Sequence, residues 1–126
     1  MLRLLTLLFF VSTPVFAQSI PLTCDIEIEF NSTGSGIDAL VYQKIMTRII
    51  ETPAVTEKYI TNIGREGDRT LCLKVQEDQL GAIYEDLKAQ IPEESHHTWT
   101  HIKSRDGREF KTREAEGLVR YDWQRD

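Results

Sequence analysis

The sequence predicts an α+β fold of the ferredoxin-like, split βαβ kind: a four-stranded sheet with two helices on one face, followed by a C-terminal β-hairpin or arm. Three observations predict it. Residues 24–30 alternate apolar with acidic side chains; two later segments repeat apolar residues at helical spacing and stop before prolines; and the elements succeed one another as β-α-β-β-α-β.

Cys24-Asp25-Ile26-Glu27-Ile28-Glu29-Phe30 has period two, so one face is expected to be buried and the other wet. From Ile37 the period changes. Ile37, Leu40, Val41, Ile45 and Ile49 line one helical stripe that ends before Thr52-Pro53. Ser35 and Asp38 have capping-box spacing, which places a helix over 36–51. Val55 to Ile63 is rich in Val, Thr, Tyr and Ile. It meets a glycine-containing turn at 64–68 and resumes at Thr70-Leu71-Cys72-Leu73-Lys74-Val75, a pair of strands. Leu80, Ile83, Tyr84, Leu87 and Ile91 form a second helical stripe over about 79–90, with Asp78 as N-cap and Pro92 as terminator. His96 to Lys103 alternates as a fourth strand, Arg105-Asp106-Gly107-Arg108 reads as a two-residue hairpin turn, and Glu109 to Thr112 returns beside that strand. The expected organisation is therefore a signal peptide over 1–17, a β-α-β-β-α-β domain over 18–103 and a charged hairpin or arm over 104–126, whose end, Leu118 to Trp123, is a last strand or a docked segment.

The signal peptide rests on Arg3, the apolar stretch Leu4 to Val11, and Pro14-Val15-Phe16-Ala17, with cleavage expected after Ala17. The apolar stretch is far shorter than the roughly 20 residues that span a bilayer. The expected product is exported, periplasmic or secreted, without a membrane span. Since Arg3 is the only charge removed, the formal net charge of −5 becomes −6, which disfavours nucleic acid as a partner because such affinity comes from clustered Lys and Arg on phosphates.

Export makes Cys24 and Cys72, the only two cysteines, an expected disulfide. One conflict stands against it. Cys24 shares parity with Ile26 and Ile28, whereas Cys72 shares parity with Lys74, so regular strands would aim the two sulfurs at opposite faces. Pro21 leaves room for an irregular start to the first strand.

Several motifs suggest chemistry without supplying it. Gly34-x-Gly36-x-x-Ala39 after a strand has the spacing of a dinucleotide-binding turn, with Glu57 as the distant acid. The preceding strand carries Asp25, Glu27 and Glu29 on alternate positions, whereas Rossmann strands are apolar on both faces, so no nucleotide cofactor is expected. His96, His97 and His101 cluster, yet on a strand His97 and His101 stand about 13 Å apart at roughly 3.3 Å per residue, too far to share one metal ion. No catalytic residue, cofactor or metal ligand is assigned. The candidate binding face is the row Asp25, Glu27 and Glu29 with Lys74 from the third strand and His97, Trp99 and His101 from the fourth. Three carboxylates in a row repel one another. Either the charged C-terminal segment covers them or a basic partner docks there. The function expected is thus a small exported protein-binding module, such as an inhibitor, an immunity-type protein or an accessory subunit of an envelope complex; the competing class is a small exported hydrolase or metal-dependent enzyme using His97, His101 and nearby carboxylates.

Overall fold

The computed structural model describes residues 23–34, 36–62 and 67–115. The signal peptide expected over 1–17, Ser35, most of the turn expected at 64–68, and the end of the chain with Leu118 to Trp123 lie outside the described residues.

The elements run β1 (Ile26–Ser32), α1 (Ala39–Ile50), β2 (Val55–Asn62), β3 (Arg69–Val75), a 3-10 turn (Glu77–Gln79), α2 (Leu80–Lys88), β4 (Glu94–Ser95), β5 (Thr98–Ser104), β6 (Glu109–Lys111) and β7 (Arg113–Glu114). Among the described residues the fold is α+β, with two helices and a mostly antiparallel sheet. That sheet has five strands, in the order β2-β3-β1-β5-β6, rather than the four of the ferredoxin-like arrangement expected from the element order. The additional strand comes from the C-terminal hairpin: Lys103 faces Glu109 and His101 faces Lys111, so β6 extends the sheet beyond β5. The turn holds three residues, not two. Gly107 donates to the Ser104 carbonyl at 3.0 Å and the Ser104 amide to the Arg108 carbonyl at 2.9 Å, with Gly107 left-handed at φ 94°. Past β6, β7 lies parallel to β4, and the Arg113 amide donates to the Glu93 carbonyl at 2.8 Å. The described part of the C-terminal segment therefore widens the sheet at its edge instead of folding over the acidic face.

One continuous core fills the space between the sheet and both helices. Ile26, Ile28 and Phe30 of β1 meet Leu71 and Leu73 of β3 and Ile102 of β5, under Val41, Ile45 and Ile49 of α1 and Leu80, Ile83, Tyr84 and Leu87 of α2. The period-two and period-3.6 stripes of the sequence are the residues that do this burial, except Leu40, which was expected on the α1 stripe and is 61% exposed at the first turn of the helix. The helix starts differ from expectation. Asp38 itself takes the N-cap position of α1, three residues later than the capping box placed it, its Oδ1 accepting from the amides of Leu40 at 3.1 Å and Val41 at 3.2 Å. Asp78 lies inside the 3-10 turn and caps nothing by its side chain, since that tighter turn leads directly into α2.

Cys24 and Cys72 are bonded, with Cα atoms 5.1 Å apart. The parity conflict resolves at Asp25. Ile26 stands opposite Leu73, and the Asp25 amide also donates to the Leu73 carbonyl at 2.9 Å, so two residues of the first strand oppose one of β3. Such a bulge shifts everything before it by one position, which turns Cys24 to the side of the sheet that Cys72 occupies.

Candidate functional site

With both helices on one side, the other face of the sheet carries the polar half of each strand. β1 contributes Glu27 and Glu29 at its centre. Across β5, Glu27 faces Lys103 and Glu29 faces His101; across β3, Glu27 faces Cys72 and Glu29 faces Thr70. Beyond β3, Tyr59 stands opposite Cys72 and Glu57 opposite Lys74. Beyond β5, the hairpin places Glu109 and Lys111 on the same face.

The seven residues singled out from the sequence separate into two groups. Glu27, Glu29, Lys74, Trp99 and His101 lie together on this face. Asp25 does not join the row, because the bulge turns its carboxylate to the end of the sheet. There Oδ2 accepts from the Val75 amide at 2.9 Å, Oδ1 pairs with Arg105 Nε at 3.2 Å, and its carbonyl accepts the Arg105 amide at 2.9 Å. Asp25 thus ties β1 to β3 and to the C-terminal hairpin. Lys74 is engaged through Nζ with the Thr23 carbonyl. His97 leaves the strand altogether: it sits in the bend before β5 with φ 63°, a left-handed conformation that histidine tolerates better than branched residues do. Its carbonyl accepts the Thr33 amide at 2.9 Å, and its Nδ1 lies 3.4 Å from Thr33 Oγ1. His97 therefore pins the loop that follows β1.

His101 sits between two carboxylates. Nε2 contacts Glu109 Oε1, and Nδ1 lies 3.9 Å from Glu29 Oε2, with the imidazole only 14% exposed. The charge on the imidazolium form would be shared between them. Glu27 is left with less. Its carboxyl is held above the ordinary glutamate value, first by burial, then by a hydrogen bond and repulsion from Glu29, while Lys103 and His101 pull the other way. The β3 side of the Glu27-Glu29 pair, floored by Cys72 and Thr70, presents no cation directly opposite either carboxylate. Trp99 packs under Lys111, whose Nζ is 5.7 Å from the ring centroid, and the two line a small hollow with Thr112 and Glu114.

Sequence reasoning passed over Tyr59, Lys103, Glu109 and Lys111. Lys103 was legible, since it shares parity with Trp99 and His101. The others needed cross-strand register, which no local pattern encodes.

Among the described residues no three His, Cys, Asp or Glu side chains converge as metal ligands. Both neighbours of β1 are antiparallel to it, so the glycines after β1 do not open a parallel βαβ unit. No helix among the described residues is long and apolar enough to cross a membrane. No protein-family model, curated protein or solved structure matches the chain.

Proposed function

We propose that this chain is a small exported protein-binding module, and that its helix-free sheet face receives a basic partner at Glu27 and Glu29. We read a split βαβ core in β1, β2, β3, β5 and the two helices, widened by β6. The observation that carries the functional reading is the Glu27-Glu29 pair: two half-buried carboxylates side by side at the centre of a sheet, one held toward its protonated form, with His101 and Lys103 on one flank and no cation directly opposite on the other. A lysine or arginine brought to that second flank, above Thr70 and beside Tyr59, supplies the missing charge. Burial makes such a pairing stronger than one at a fully hydrated surface. The disulfide supports the compartment, because such bonds persist in oxidising surroundings.

The test is capture of partners from the native host's envelope or secreted fraction on the immobilised mature chain, comparing wild type with Glu27→Lys/Glu29→Lys. A discrete basic protein should bind the wild type, bind more slowly as salt shortens the Debye length below about 8 Å, and be lost from the variant. Because this variant sets lysines opposite Lys103 and His101, its melting is measured beside that of Glu27→Gln/Glu29→Gln, which relieves the like-charge crowding without adding a cation and should fold as well as the wild type while also losing the partner. Equal capture by both proteins, at low and high salt alike, would remove this face as the binding site.

A further inference from the structure

The second surface is an edge, and it is independent of the face just described. β2 is the outermost strand on its side of the sheet, and from Thr56 to Asn62 every residue is exposed. The opposite edge strand, β6, is only three residues long. Among the described residues, two of the four large exposed apolar side chains are on β2, Tyr59 at 40% and Ile60 at 45%. A third, Ile50 at 71%, lines the same groove as Val55 and Lys58.

Which backbone groups of β2 are free follows from the ladder. The Asp25 amide takes the Leu73 carbonyl and the Asp25 carboxylate takes the Val75 amide, so the odd-numbered residues of β3 turn their polar groups toward β1. Alternate residues face the other neighbour, which gives Thr70, Cys72 and Lys74 to β2, where they meet Thr61, Tyr59 and Glu57. The amides and carbonyls of Lys58, Ile60 and Asn62 therefore point away from the sheet. Thr56 belongs to a register shift between Val55 and Glu57 and ends the regular edge on that side.

We propose that this edge pairs with the same edge of a second copy of the chain, antiparallel and centred on Ile60. Two identical edges join into one sheet only about a two-fold axis perpendicular to it, which sets residues of equal parity opposite one another. Centring on Ile60 pairs Ile60 with its own copy and Lys58 with Asn62 of the other chain, twice. All three outward amides and all three outward carbonyls of each chain then find partners. No like charges stand opposite in this register. Centring on Lys58 would set two ammonium groups face to face and leave Asn62 unpaired, which excludes that alternative. The strand's own charges, Glu57 and Lys58, lie on opposite sides of the sheet, so the edge is locally neutral although the chain is acidic. Ile60 gains an apolar neighbour on the helix side. The contact is one strand wide, so the dimer is weak and concentration-dependent.

Hydrogen exchange by NMR on the mature, disulfide-bonded chain, from tens of micromolar to about millimolar, tests the register directly. The amides of Lys58, Ile60 and Asn62 should slow by about tenfold or more as concentration rises, while those of Tyr59 and Thr61, already bonded to β3, stay slow throughout. Sedimentation should show the matching monomer-dimer equilibrium. Ile60→Pro removes one outward amide without touching the bonds to β3, and Ile60→Lys sets two cations on the axis; each should leave a monomer. A wild-type chain that remains monomeric to millimolar concentration, a dimer in which the three amides exchange at the monomer's rate, or an Ile60→Lys protein that dimerises like wild type would each overturn the proposal.

Discussion

Breaking the Cys24-Cys72 bond should be the most damaging change that leaves every apolar side chain of the core in place. The bond closes a loop with a sequence separation of 48 and joins the start of β1 to the middle of β3, two neighbouring strands at the centre of the sheet. In the chain-entropy model a loop of this length restricts the unfolded chain by about 4 kcal/mol at 25 °C. With an unfolding entropy of about 2.1 cal/mol/K per residue over the about 109 residues expected after cleavage at Ala17, that loss lowers the melting midpoint by roughly 17 °C. The assay is thermal unfolding of the mature chain against Cys24→Ala/Cys72→Ala, with reduced wild type as a second route to the same state. Alanine is the right replacement at Cys72, which is only 7% exposed, since serine would bury a hydroxyl. Thiol titration of the folded wild type should find no free sulfhydryl. A double variant melting within about 3 °C of wild type would show that the loop is already constrained without the bond, and the entropy reasoning would fail.

Asp25→Ala should destabilise by about 1–3 kcal/mol in urea melts, because it orphans the Val75 amide as well as breaking the Arg105 pair. Arg105→Ala should cost well under that, as its guanidinium is 44% exposed; equal costs would mean the Val75 bond contributes nothing. Glu27→Gln should change how stability depends on pH. The folded pKa of Glu27 lies above its unfolded value, so the folded state holds the proton more tightly and wild-type stability falls as pH rises from about 4.5 through the raised folded pKa. The glutamine variant lacks this penalty and should gain on wild type above that window while the two converge below it; pH-resolved melts in which the difference is flat from pH 4 to 8 would contradict the assignment.

Periodicity carried most of the fold. The alternation in β1 and the stripes of α1 and α2 are written by burial itself, since their apolar residues, with the exception of the exposed Leu40, face the one core. The proline stops and the Gly107 turn were equally legible, because backbone sterics act within a few residues. So was the return of Glu109 to Thr112 beside the preceding strand, which is β6 on β5. The three-residue length of the turn and the pairing of β7 with β4 were not, because each depends on which partner the returning chain meets.

The candidate face divides along the same line. That Glu27, Glu29, Trp99 and His101 share a side follows from parity within two strands, a local property of the extended backbone. That Asp25 leaves the row, and that Cys24 reaches Cys72, depends on one bulge where two residues meet a single residue of β3. Pro21 left room for an irregular strand entry, but no neighbour in sequence places a bulge at Asp25; it is stabilised by bonds to Val75 and Arg105, some 50 and 80 residues on in the chain. His97 is displaced likewise by a contact with Thr33, 64 residues away. The chain by itself therefore determines which residues are buried and which elements they form, because those depend on local geometry and on the exclusion of water. Which polar groups meet, which side of the sheet a sulfur takes and which strand is left at the edge are decided only by tertiary structure, because each requires a partner distant in sequence to occupy one particular place.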